Sequence, residues 1–166
     1  MKNIQAFISE KLTSKRVAIM GVGSVLRSDD GAGMRFIEKL SSLINGNDVL
    51  LIAGSTAPEN FTGVIKEFSP ECLFIVDAAK MGGYVGEIKP IVTDMIDGMS
   101  FSTHMLPLSV MLKYLELEIG CEVVCIGIEP LNTEQGFEMC SKVSKSSENL
   151  AYMFYEALEY KKEVTK

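Results

Sequence analysis

Arg16-Val-Ala-Ile-Met-Gly-Val-Gly-Ser-Val-Leu-Arg-Ser-Asp-Asp-Gly-Ala-Gly33 is the stretch on which the architecture turns. Val17 to Val22 is an apolar run of strand length, the composition of a strand covered on both faces. Glycines interrupt it, and Met34, Ile37, Leu40 and Ile44 then recur at a period of three to four, which predicts a helix beginning near Asp30. A strand that feeds a glycine turn and then a helix opens an alternating α/β fold.

The alternation continues along the chain. Asp48-Val-Leu-Leu-Ile-Ala reads as a second strand, and Asn60 to Phe68 as a short helix with Asn60 as its N-cap. Glu71-Cys-Leu-Phe-Ile-Val-Asp is a third strand. Gly86-Glu-Ile-Lys-Pro-Ile-Val is shorter and carries Pro90, which suits an edge strand. A helix starts near Leu106 with Pro107 in its first turn and Leu108, Met111, Leu112 and Leu115 on its apolar face. Cys121 to Ile128 is a fifth strand. Flanking helices are expected over residues 3–13, with Ile4, Phe7, Ile8 and Leu12, and at the C-terminal end, with Leu150, Met153, Phe154, Ala157 and Leu158. The expected fold is a mostly parallel sheet between helical layers, a three-layer α/β/α sandwich in a single domain.

The 166 residues, 47% of them hydrophobic, suffice for one sizeable core. The apolar runs have strand length, so no bilayer-spanning helix is expected, and Met1-Lys-Asn-Ile-Gln lacks the apolar region of a signal peptide. A cytoplasmic location without membrane insertion is the expectation. A net charge of −6 with scattered Lys and Arg argues against a nucleic-acid partner. Cys72, Cys121, Cys125 and Cys140 contain no Cys-x-x-Cys pair, so they read as reduced, mostly buried thiols without a chemical role.

Three apolar runs each end in or lead to a metal-ligand residue type: Asp30, Asp77 and His104, the last being the sole histidine. Two carboxylates and an imidazole suit a divalent transition metal with open coordination positions. Ligands in parallel sheets bind at the carboxyl ends of the strands. Asp30 follows the first strand and Asp77 ends the third, so both belong to that rim.

Each residue also has a plainer role open to it. Asp29 and Asp30 suit a helix N-terminus, where free amides and the macrodipole favour a carboxylate. A division of labour is expected, with Asp29 capping or bonding backbone while Asp30 points into the cleft. Asp77, placed directly after Leu73-Phe-Ile-Val, needs pairing, hydrogen bonds or a metal. His104 is either structural or a ligand oriented by Ser102 or Thr103. Gly54-Ser-Thr-Ala-Pro-Glu-Asn60 is either an ordinary strand-to-helix loop or a peptide contact on the same rim. Gly21-x-Gly23 lacks the third glycine of a dinucleotide loop, Leu26 standing in its place, and Asp29-Asp30 would repel phosphate.

In combination, Gly21-Val-Gly-Ser…Asp29-Asp30-Gly-Ala-Gly33, Gly54-Ser-Thr-Ala-Pro-Glu-Asn60, Ile75-Val-Asp-Ala78 and Thr103-His-Met-Leu-Pro-Leu108 resemble the hydrogenase maturation endopeptidases, HycI/HybD-like peptidases that process [NiFe]-hydrogenase large subunits. The Ala-Pro-Glu-Asn stretch is most similar to the branch serving formate-hydrogenlyase-type enzymes. The resemblance spans about residues 16–160 and leaves the segment 1–15 as an additional N-terminal helix. It implies a five-stranded twisted sheet and removal of a C-terminal extension from the large-subunit precursor after nickel insertion. It also implies that Asp30, Asp77 and His104 serve as both metal-contacting and catalytic positions, towards nickel carried by the substrate. Ser24 departs from the family's usual Asn. The competing expectation is a non-catalytic chaperone that binds metal or precursor without cutting it.

Overall fold

The structure, a computed structural model, describes residues 3–13, 16–91, 105–136 and 138–164, with the backbone alone over 105–109. Five strands form one sheet: β1 (Val17–Val22), β2 (Val49–Ser55), β3 (Cys72–Ala78), β4 (Ile88–Ile91) and β5 (Glu122–Ile128). Their spatial order is β2-β1-β3-β5-β4. The first four in that order run parallel, and β4 pairs antiparallel with β5 at the edge. Pro90 sits in this edge strand, where the missing amide proton costs no central ladder bond.

Helices α1 (Ile4–Lys11), α2 (Ala32–Leu43) and α5 (Ser141–Val164) share one face of the sheet, and α3 (Thr62–Phe68) and α4 (Met105–Ile119) the other. Alternation along β3 sorts the two cores. Phe74 and Val76 face the first layer, where Phe154 meets Phe36 and Phe74 edge-on at 5.3 and 5.0 Å. Leu73 and Ile75 face the second, with Met20, Ile65, Met111, Leu112 and Leu115. All six residues of β1 and all seven of β3 are buried, which explains why both read as unbroken apolar runs. Among the described residues no helix is long and apolar enough to cross a membrane.

One local expectation is overturned. Asn60 does not cap the helix before Phe68, because Pro58–Phe61 form a 3₁₀ turn and α3 starts only at Thr62, with no side-chain cap. Pro58 presets the φ of the tighter turn, and the Thr62 hydroxyl donates to the Glu59 carbonyl at 2.7 Å.

The chain leaves β1 for β2 on one side and returns to β3 on the other. The crevice between β1 and β3, at their carboxyl ends, is therefore a topological switch point.

Candidate active site

Both acidic candidates lie at that switch point. Asp30 belongs to a 3₁₀ turn, Ser28–Gly31, between β1 and α2, and Asp77 is the penultimate residue of β3. Asp30 has no exposed surface and Asp77 only 4%. By the alternation of β3, Asp77 faces the α3–α4 layer.

Gly23 draws the two segments together. Its φ of +128° belongs to glycine. A Cβ at this position would fall 1.8 Å from the carbonyl oxygen of Asp30 and 3.5 Å from Oδ1 of Asp77. The absent side chain is the space through which the Asp30 turn closes over the end of β3. Gly33 performs the companion task one turn later, since a Cβ there would lie 2.1 Å from the Val76 carbonyl and 2.3 Å from that of Val22. The glycines of the opening stretch thus serve close approach of backbone to backbone rather than a phosphate cradle.

Backbone donors orient each carboxylate. The Ser24 amide donates to Oδ2 of Asp30 at 2.8 Å, and the Ala78 amide to Oδ1 of Asp77 at 2.8 Å. Such bonds, donated to a charged acceptor, are short and hold a buried carboxylate in a defined direction. The site supplies oxygen ligands. Its rim continues through Ser28 and Ser55, both with φ near +50°, a conformation that costs energy for a non-glycine residue and fixes the two loops tightly.

Asp29 takes the other role expected for the acidic pair. It is fully buried and accepts three amides: Leu131 at 2.8 Å and Asn132 at 3.1 Å on Oδ2, and Cys140 at 2.7 Å on Oδ1. Cys140 stands immediately before α5, so this carboxylate satisfies a donor at a helix N-terminus and ties the first loop to the segment after β5.

His104, Ser102 and Thr103 lie outside the described residues. The described chain resumes at Met105 with α4, on the face to which Asp77 points, with Pro107 in its first turn. α4 also touches the Pro58–Phe61 turn of the Gly54–Asn60 loop, and that loop follows β2 on the same rim. No group of three or more His, Cys, Asp or Glu side chains able to hold a metal converges among the described residues.

Glu129 is a rim carboxylate that the sequence reading passed over. It is 8% exposed and follows β5, and its Oε2 accepts the amides of Met81 at 2.6 Å and Gly83 at 3.2 Å. It straps the loop between β3 and β4 to the sheet. The signal was available, since Ile126-Gly-Ile-Glu places an acid directly after an apolar run as Ile75-Val-Asp does.

Cys72, Cys121, Cys125 and Cys140 are all free thiols, and the first three are buried. Burial pushes Cys125 up to about 12, with the nearby charge of Asp77 adding to the effect. Burial likewise raises Cys72 to about 12 and Cys121 to about 11. Protonated thiols of this kind are poor nucleophiles.

A family model for hydrogenase maturation proteases, HycI, matches residues 34–157. The chain belongs to the hydrogenase maturation protease family. The matched span contains Asp77 and His104 and begins four residues after Asp30. The hydrogenase 3 maturation protease of Escherichia coli K12 is 42% identical over 113 residues, which are 68% of this chain and 71% of that one. A putative hydrogenase maturation protease of Methanocaldococcus jannaschii is 41% identical over 123 residues, 70% and 73% of the two chains. Among solved structures, the [NiFe] hydrogenase maturation protease HycI of Thermococcus kodakarensis KOD1 superposes with a TM-score of 0.84 at 31% identity, covering 92% of this chain and 99% of that one. This family member is therefore a peptidase with a role in hydrogenase maturation, and its five-stranded sheet, helical layers and antiparallel edge strand are those of the HycI fold.

Proposed function

We propose that this protease removes the C-terminal extension from a [NiFe]-hydrogenase large-subunit precursor in the cytoplasm, once nickel has been inserted. The nickel belongs to the substrate, held by the precursor's own cysteines, and Asp30, Asp77 and His104 complete its coordination. The observation that carries this reading is the convergence of buried Asp30 and Asp77 on Gly23 at the switch point of a hydrogenase maturation protease fold.

The chemistry of the donors supports it. Two carboxylates, each oriented by a backbone amide, present oxygen ligands, and the buried thiols nearby are held protonated. Such a set is weak towards a free transition metal compared with thiolate ligation, so it engages nickel that is already bound and thereby senses its arrival. For the hydrolysis, Asp77 or Asp30 takes the proton from the attacking water, and the metal polarises the scissile carbonyl or positions the peptide. The sole imidazole is assigned to nickel, which leaves no His for a Ser- or Cys-based nucleophile.

The test is to incubate nickel-loaded precursor with the wild-type protein and with Asp30→Asn and Asp77→Asn, and to follow intact mass. Loss of a C-terminal peptide with the wild type alone supports the reading. A stable complex without any mass change for the wild type would instead make the protein a binding chaperone.

A further inference from the structure

A groove of about 730 Å³ opens beside the Asp30 turn, between the loop after β1, helix α2 and the entry to α5. Val25, Leu26, Met34 and Met139 give it an apolar lining, to which Gly31, next in sequence to Asp30, also contributes. We propose that this groove is a specificity subsite, which takes an apolar side chain of the precursor segment bordering the processed bond. This rests on the peptidase reading above and names residues that would select the peptide.

Val25 and Leu26 are 70% and 69% exposed, on a loop that has little freedom. The Leu26 amide donates to Oγ of Ser24, and its carbonyl accepts the Gly136 amide at 3.1 Å. The Arg27 amide donates to the Ser24 carbonyl, and Arg27 Nε to the Thr133 carbonyl at 3.2 Å. Asp29 anchors the other end through its three amides. Two adjacent large apolar side chains are therefore held towards water over a cavity, instead of folding into it. Apolar surface displayed on a rigid loop at the mouth of a cavity marks a binding surface.

The groove is also continuous in backbone with the Asp30 turn of the candidate site. The backbone that carries Val25 is the backbone that hydrogen-bonds Asp30: the amide of Ser24 holds Oδ2 at 2.8 Å. A Cβ on Gly31 would sit 3.2 Å from Cα of Val25 and 3.4 Å from Cε of Met139. An extended peptide advances roughly 3.3 Å per residue, so a chain whose bond lies at Asp30 places a residue close to the cut over the groove.

The lining defines the occupant. The volume lies in the range of ligand pockets, about 300–1,000 Å³, and accommodates more than one side chain. Met34 and Met139 are flexible thioethers that adapt to branched or linear apolar groups. Around them, Arg35 is already engaged by Glu148 at 2.6 Å and faces Glu38 at 3.4 Å, and Glu138 adds another carboxylate. With carboxylates outnumbering the one guanidinium, the subsite favours an apolar residue with neutral or basic neighbours and disfavours an acidic one.

The experiment uses the full-length protein and a nickel-loaded large-subunit precursor, with complex formation and C-terminal processing measured separately. Leu26→Asp and Val25→Asp alter exposed side chains, so both variants are expected to fold, as a thermal melt would verify. Leu117→Asp on α4, at 86% exposure, controls for added surface charge. The expected result is a complex weakened at least tenfold and a KM raised to match in the two loop variants, with kcat within twofold of wild type. Leu26→Met should restore wild-type behaviour, and Leu117→Asp should not depart from it. Equal binding by wild type, Leu26→Asp and Val25→Asp would overturn the subsite whether or not peptide is released. Binding by the wild type that is lost in the loop variants, without cleavage by any of them, would support the groove while contradicting the peptidase reading. No complex with the wild type would overturn both.

Discussion

The amide of Ser24 and the carboxylate of Asp30 meet at 2.8 Å, both within the buried part of the molecule, so the loop after β1 closes on its own acid. The direction of the carboxylate is thus set by main chain, and the side chain at position 24 is secondary to it. This accounts for a serine where the resembling family usually has Asn: the bond that orients Asp30 needs only an amide proton, and Ser24 Oγ serves the neighbouring Leu26 amide.

Gly23 is the position at which a single methyl group should disable the site. Its Cβ would overlap the Asp30 carbonyl at 1.8 Å, and the φ of +128° is strained for any L-residue. Gly23→Ala is expected to cost more than about 3 kcal/mol of stability and to abolish processing by displacing Asp30. Urea unfolding together with a processing assay checks this, and a variant with wild-type stability and turnover would show that the loop does not close as described.

Asp29 is structural, so its loss should appear in stability. Asp29→Ala strips three amides of their acceptor in a buried setting and is expected to cost about 3–5 kcal/mol. Asp29→Asn keeps one acceptor oxygen and should fall between. A chemical denaturation series that placed Asp29→Ala within 1 kcal/mol of wild type, on the order of a surface substitution, would contradict the tie between the first loop and α5.

Asp77→Asn is nearly isosteric and keeps an oxygen for the Ala78 amide, so the fold should survive. Processing should fall by at least a hundredfold, the scale on which general-base catalysis contributes. Normal processing by the folded variant would remove Asp77 from the chemistry.

The thiols carry a pH dependence whose sign is fixed by burial. In the unfolded chain they ionise near 9, whereas in the fold Cys72 and Cys125 are held up to about 12 and Cys121 to about 11. Above pH 9 the unfolded state therefore binds fewer protons than the native one, and stability falls as pH rises. With reductant present, Tm should be level below pH 8 and decline steadily from pH 9 to 11. Cys125→Ser should shallow that decline and leave processing intact. Alkylation of Cys72, Cys121 and Cys125 in native protein at pH 9 as fast as in urea would refute their burial.

Much of this molecule was legible in its sequence because the signals were local. The apolar runs of β1 and β3, the helical period of α2 and α5, and Pro90 on an edge strand each report their own surroundings. Asp77 was legible as a rim acid because it stands at the end of a buried strand, where an acid is costly unless used, and Asp30 because it closes the glycine-rich turn that follows another such strand. The partners of Asp29 were not, because Leu131, Asn132 and Cys140 lie more than a hundred residues away and bind through amides that every residue possesses. Asn60 misled because an N-cap motif and a 3₁₀ turn share their residue preferences, and Pro58 selected the turn. The groove under Val25 and Leu26 arises only when α2 and α5 pack side by side, so no single segment announces it.

Cleavage of only a precursor that already holds nickel is the heart of the proposed function. Its most direct test is intact-mass measurement of one large-subunit precursor, incubated with the protein in nickel-loaded and in nickel-free form. The account predicts loss of a C-terminal peptide from the loaded form and an unchanged mass for the empty one. Equal cleavage of both forms would contradict it, by showing that Asp30, Asp77 and His104 do not read the metal.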